Sequence, residues 1–75
     1  MSEGHWEDAC DRFAQSLALE PAVGTLLNLA TCVERGGDTV RTCSLWAQAR
    51  DMARAKGSPE RAKLAEDRLA RLGCP

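Results

Sequence analysis

Apolar residues recur at steps of three and four positions along most of this chain, a spacing that predicts amphipathic helices. The first stripe consists of Trp6, Ala9, Cys10, Phe13, Ser16 and Leu17. We expect this helix to end at Pro21, because the residue before a proline avoids the helical region. A second helix follows, and one of its faces is lined by Val23, Leu26, Ala30 and Val33. It is apolar around much of its circumference, which predicts that it is the central and most buried helix.

Glycines and capping residues set the bounds of two further helices. Gly36-Gly37 ends the second helix, Asp38 is the predicted N-cap of the third, and Gly57 ends the third. The predicted apolar stripe of the third helix is Val40, Cys43, Trp46, Ala49 and Ala53.

The fourth helix has the clearest start signal, with Ser58 as N-cap and Pro59 as the first helical residue. It ends at Gly73, and its narrow stripe is Ala62, Ala65, Leu69 and Leu72. Most of its other residues are charged, which suits a helix that caps the end of a stack. The chain is therefore predicted to be all-α, with four helices.

A pattern repeats along the chain at an interval of 33 residues, since Gly4 recurs as Gly37 (37 − 4 = 33) and Phe13 recurs as Trp46. The other pairs at this spacing are Cys10 with Cys43, Ser16 with Ala49, and Leu19 with Met52. A period in this range is typical of stacked helical repeats, whose units bury their apolar faces against one another. The repeat favours a helical binding module.

Composition narrows the class of protein. The 75 residues form one domain at most, and the net charge of −1 lacks the basic excess of a nucleic-acid binder or an electrostatic membrane anchor. No apolar run approaches the roughly 20 residues of a spanning helix. The first residues have no basic or apolar character of a secretory signal, so a cytoplasmic location is expected. Arg outnumbers Lys eight to two, which suggests a high-GC bacterial genome.

The four cysteines show neither a CxxC pair nor zinc-ligand spacing, so no metal site is expected. Cys10 and Cys43 lie on apolar stripes, where a free cysteine packs as a small hydrophobe. Cys74 lies in the tail after Gly73 and is expected to be exposed, either as a bystander thiol or as one that oxidises between chains.

The segment from Gly4 to Pro21 resembles the second helix of a tetratricopeptide (TPR) repeat. Glycine opens the turn and proline closes the helix, and between them come the residues that match the motif, namely Trp6, Ala9, Phe13 and Ser16. The segment 26–30 resembles the first helix of the next repeat, and Gly37 with 46–49 resembles its second helix. The second copy departs from the motif, with Thr39 and Thr42 where an aromatic residue and alanine are usual.

This resemblance implies a TPR-like stack of antiparallel helical hairpins over residues 1–75. It consists of a leading half repeat (1–21), a full repeat (22–56) and a capping helix (57–73). First helices of TPR repeats line a groove that holds a partner peptide, and Asn28 matches the family's groove asparagine. The spacing places the polar stripe of the second helix opposite its apolar face. The predicted partner-binding residues are Leu27, Asn28, Thr31 and Arg35.

These features favour a non-catalytic protein-interaction module that binds a protein or peptide and needs no cofactor. Two alternatives stay open: a small self-assembling helical protein, and an accessory subunit of an enzyme or regulator. The first helix lacks the helix that would precede it in a TPR array. We therefore expect it to pair with a second copy, most simply in a symmetric dimer, through Trp6, Phe13 and Leu17. No catalytic constellation accompanies the single histidine, His5.

Overall fold

The computed structural model describes residues 3–74, and it describes side chains from residue 8 onward. Within that range the chain is all-α, with no strand. The four helices are α1 (Glu3–Leu19), α2 (Val23–Gly36), α3 (Thr39–Ala55) and α4 (Pro59–Leu72). The predicted all-α class and the number of helices are confirmed in this part of the chain.

The helix ends follow the local signals of the sequence. Gly37 adopts a φ of 89°, in the left-handed region, and its N–H donates to the carbonyl of Glu34 at 3.1 Å. At the start of α3 the Asp38 carboxylate accepts a hydrogen bond from the Arg41 backbone N–H at 3.1 Å, as expected of an N-cap. Ser58 also occupies the N-cap position of α4, but its side chain makes no capping hydrogen bond. The start of α4 therefore depends on Pro59 rather than on a side-chain cap.

Each helix packs mainly on the next helix in the chain, α1 on α2, α2 on α3 and α3 on α4. The connections are short, which makes consecutive helices antiparallel neighbours. The chain extends over 35 × 29 × 17 Å, and the longest dimension exceeds the roughly 25 Å length of a 17-residue helix.

The core centres on α2 and α3. As predicted, α2 is the most buried helix, with six buried residues: Val23, Leu26, Leu29, Ala30, Cys32 and Val33. Trp46 of α3 is 1% exposed and belongs to the same cluster as Ala30 and Val33, which confirms its place on the predicted apolar stripe. Ala49, Ala53 and Ala65 are fully buried at 0% exposure, so the helices approach closely where alanine is present.

The apolar stripe predicted for α3 is wrong at its start. Val40 is 84% exposed, whereas Thr42 and Leu45 are buried. Because α3 packs between α2 and α4, its buried face includes Leu45 and excludes Val40. The Thr42 hydroxyl donates to the Asp38 carbonyl at 2.6 Å, so this buried polar side chain is satisfied within its own helix.

Two disulfide bonds contradict the expectation of free, packed cysteines. Cys10 of α1 is bonded to Cys32 of α2, and Cys43 of α3 is bonded to Cys74, just after α4. Their Cα atoms lie 5.6 and 5.7 Å apart, ordinary separations for a disulfide. Cys74 is therefore neither an exposed bystander nor available for a bond between chains. No free cysteine occurs among the described residues.

Antiparallel packing explains the two disulfide pairs, which no local sequence motif indicates. Cys10 lies nine residues before the end of α1 at Leu19, and Cys32 lies nine residues after the start of α2 at Val23. Two positions equally far from a short connection come level in an antiparallel hairpin, so this spacing is the signal that could have found the first pair. Such links suit a chain of this size, since small domains bury too little apolar surface to be very stable.

Candidate binding surfaces

Of the four predicted partner-binding residues of α2, Asn28, Thr31 and Arg35 lie away from the core, whereas Leu27 packs against both core clusters. Asn28 and Arg35 are exposed, while Leu27 and Thr31 are half-buried. The Thr31 hydroxyl donates to the Leu27 carbonyl at 2.9 Å within the same helix. Asn28 and Arg35 therefore carry the polar groups of this stripe that are most accessible to a partner.

Two arginine side chains of α4 reach α2 close to this stripe. Arg68 Nη1 is 3.2 Å from Glu34 Oε2, and a Cβ added at Gly24 would lie 4.0 Å from Arg61 Nη1. Arg61, Leu64 and Arg68 follow one another at three- and four-residue steps, so they share one face of α4. We call the shared surface the α2–α4 face, defined by Leu27, Asn28, Thr31 and Arg35 of α2 and Arg61 and Leu64 of α4.

A polar cluster beside this face joins three helices. Trp46 Nε1 donates to Glu34 Oε1 at 2.9 Å, and Arg68 donates to the other carboxylate oxygen at 3.2 Å. The Arg68 guanidinium also lies 5.5 Å from the centroid of the Trp46 ring, within the range of a cation–π contact. Glu34 therefore links α2 to α3 through Trp46 and to α4 through Arg68.

A second surface, which we call the α3–α4 groove, opens between α3 and the end of α4 with a volume of about 440 Å³. It is mostly apolar, and the disulfide partners Cys43 and Cys74 are both part of its lining. The other α3 residues that line it include Val40, Ser44 and Ala47. This is the side of α3 that the sequence had assigned in part to the core.

The residues predicted to mediate self-association are less accessible than the sequence suggested. Phe13 and Leu17 are half-buried, and both pack against the main core of their own chain. Each therefore has only part of its side chain available to a second copy. The side chain of Trp6 lies outside the described residues. Phe13 also borders a shallow depression on α1 with Asp8, Ala9 and Arg12.

The contribution of α4 to a binding surface was not predicted from the sequence. The sequence predicted α4 only as a capping helix whose residues outside the apolar stripe are mostly charged, and it predicted no role for Glu34. The pairing of Glu34 with Arg68 joins residues 34 positions apart, and such a contact follows from packing rather than from local spacing. No group of three or more potential metal ligands occurs among the described side chains.

Comparison with known proteins adds no relative. No protein-family model matches the chain, and neither the curated proteins nor the solved structures yield a significant match. Over the described residues, no helix combines the length and apolar character needed to cross a membrane.

Proposed function

We propose that the chain is a non-catalytic protein-interaction module of TPR-like architecture, which binds a peptide or partner protein on the α2–α4 face. The observation that carries this proposal is the contact of α4 with α2 through Arg68 and Glu34, whose charged groups lie 3.2 Å apart. This contact brings α4 near the predicted stripe of α2, so side chains of both helices can contribute to one binding surface. The TPR resemblance of the sequence supports the same use of α2.

The chemistry of the α2–α4 face favours a partner that carries carboxylates. Of its six residues, Arg35 and Arg61 are exposed cations and none is an anion. Glu34 does not cancel these charges, because its carboxylate already accepts from Trp46 and Arg68. Asn28 supplies both a donor and an acceptor for a peptide backbone, and Leu27 and Leu64 supply apolar contact.

We expect Arg35→Ala and Arg61→Ala each to weaken partner binding about tenfold or more, because a hydrogen bond to a charged group contributes roughly 1.5–3 kcal/mol. The partner is first captured from the native host with a photo-crosslinking residue at position 28, and its dissociation constant is then measured by calorimetry. Melting temperatures should remain close to that of the parent, since both side chains are exposed.

Lys63→Ala is the matched control, because it removes an exposed cation from α4 at a position outside the α2–α4 face. A crosslinker at Gln48, exposed on α3, controls for unspecific capture. Equal weakening by Lys63→Ala would show that the arginines act only through the net charge, and equal capture at positions 28 and 48 would place the binding surface elsewhere.

Self-association is the second candidate, and two observations favour it: Leu19 and Val40 are 88% and 84% exposed, and the α3–α4 groove is apolar. Sedimentation velocity at micromolar concentration is expected to show a dimer that Trp6→Asp weakens, as the sequence predicts. Val40→Asp is the companion variant, and an aspartate is well tolerated in the first turn of α3. A dimer weakened only by Val40→Asp would move the interface to the groove, and a concentration-independent monomer would exclude self-association.

The two disulfides also bear on the compartment in which the protein works. Disulfides persist in oxidising compartments and are rare in the cytosol. We therefore propose an extracytoplasmic location in place of the cytoplasmic one expected from composition. Rapid alkylation of host cells with a thiol-specific mass tag should leave all four cysteines unlabelled unless a reductant is added first. Labelling of all four without reductant would restore the cytoplasmic prediction.

A further inference from the structure

Helix α1 is held on the stack differently from the other helices. None of its side chains from Asp8 to Leu19 is buried, and those that face the core are only half-buried. The ion pairs among the described residues all lie within α2, α3 and α4. Among the described residues, α1 is therefore held by the half-buried packing of Phe13 and Leu17 and by one covalent link, the disulfide between Cys10 and Cys32.

The sequence of α1 gives it little stability of its own. A helix of 17 residues is marginal in water without packing. Its last turn contains no basic residue, and the acidic Glu20 follows directly at the negative end of the helix dipole. A detached α1 is therefore expected to lose its helical structure.

Helix α4, at the other end of the stack, does not depend on its disulfide in this way. Ala62 and Ala65 are buried. Glu66 pairs with Arg54 of α3, and Arg68 pairs with Glu34 of α2. These contacts remain when the bond between Cys43 and Cys74 is broken, so α4 is expected to stay docked.

We propose that the disulfide between Cys10 and Cys32 is a redox-sensitive clamp, and that its reduction by a dithiol releases α1 from the stack. A thiolate of the dithiol attacks the sulfur of Cys10, the more exposed partner, and Cys32 leaves as a thiolate that takes up a proton. The second thiol then closes the reductant's own disulfide and frees Cys10 as a thiol. Two electrons and two protons pass from the dithiol to the pair of cysteines.

Release of α1 uncovers apolar surface on α2. Leu29 lies one turn before Cys32 and is only 3% exposed in the closed state. It belongs to the core cluster against which Phe13 and Leu17 of α1 pack. The open state therefore presents a new apolar strip on α2, on a side distinct from the α2–α4 face.

Two double variants test the clamp: Cys10→Ser with Cys32→Ser, and Cys43→Ser with Cys74→Ser as the matched control. In the first, hydrogen exchange should show loss of protection throughout α1. The helical circular dichroism signal should fall by roughly a quarter, because α1 supplies 17 of the 62 helical residues. In the second, α4 should keep its protection. The proposal would be overturned if α1 kept its protection in the first variant, or if α4 lost its protection in the second.

Global unfolding must be distinguished from release of α1 alone. Trp6→Phe leaves Trp46 as the only tryptophan, and Trp46 is buried among α2, α3 and α4. In this background the first double variant should keep the blue-shifted emission of a buried tryptophan while α1 loses protection. A red-shifted emission would show that the whole chain unfolds, and the clamp would then have no separate role.

Titration of the unaltered chain, which has both disulfides, with dithiothreitol tests the redox step itself. Samples are alkylated at each concentration, and the modified cysteines are identified by mass spectrometry beside the hydrogen-exchange measurement. Protection of α1 should be lost at the concentration at which Cys10 and Cys32 become alkylated. Its loss while only Cys43 and Cys74 are alkylated would contradict the assignment of the clamp.

Discussion

Trp46→Ala is expected to lower the free energy of unfolding by about 3–5 kcal/mol, the usual cost of truncating a buried aromatic residue. Trp46 is 1% exposed and is the largest fully buried side chain among the described residues. The truncation also removes the donor to Glu34 and the ring beneath Arg68. A chain of 75 residues has a total stability of roughly 4–11 kcal/mol, so this variant should be largely unfolded or close to it at 37 °C.

Trp46→Phe separates packing from the polar cluster. It keeps most of the aromatic bulk but removes the N–H that donates to Glu34 Oε1 at 2.9 Å. Arg68 still satisfies the other carboxylate oxygen, so we expect a smaller loss of about 1–3 kcal/mol. Urea unfolding followed by circular dichroism measures both variants. Two equal losses would show that the hydrogen bond dominates, and a Trp46→Ala variant as stable as the parent would contradict the burial of this ring.

Cys43→Ser combined with Cys74→Ser is expected to lower the free energy of unfolding by about 3–4 kcal/mol while leaving the native fold intact. The bond closes a loop across 31 residues, and a cross-link of that length restricts the unfolded chain by about this amount in the loop-entropy account. The contacts of α4 with α2 and α3 remain, so the loss of stability should come from the greater conformational freedom of the unfolded chain.

The single variants Cys43→Ser and Cys74→Ser serve as controls, because each breaks the same bond but leaves a different thiol behind. All three variants should give similar midpoints in chemical denaturation and a larger change in exposed surface on unfolding, seen as a steeper dependence on denaturant. A double variant with an unchanged midpoint would show that the bond adds nothing to the stability of the folded chain.

The sequence predicted the helices well because their bounds are set by neighbouring residues. Pro21, Gly37, Gly57 and Gly73 act through their own backbone preferences, and the structure places every helix end within two residues of one of them. Periodicity likewise identified α2 as the central helix and Trp46 as a core residue. It also placed Asn28 and Arg35 away from the core.

Contacts between helices were not accessible to the same reasoning. Val40 was assigned to the core because it is apolar and lies at helical spacing from Cys43 and Trp46. The direction in which α3 turns depends on where α2 and α4 approach it, and spacing within α3 carries no information about that. The candidate binding surface shows the same division, since the stripe of α2 was predicted and the contribution of Arg61 and Leu64 was not.

By itself, then, the sequence determined the helical class, the number and bounds of the helices, and the choice of α2 and Trp46 as the centre of the core. These are local properties, fixed by backbone preference and by the period of the helix. Only the tertiary structure decided the pairing of the cysteines, the buried side of α3 and the link from Glu34 to Trp46 and Arg68. Each of these joins residues at least ten positions apart, and their proximity arises only when antiparallel helices settle at a particular distance and rotation.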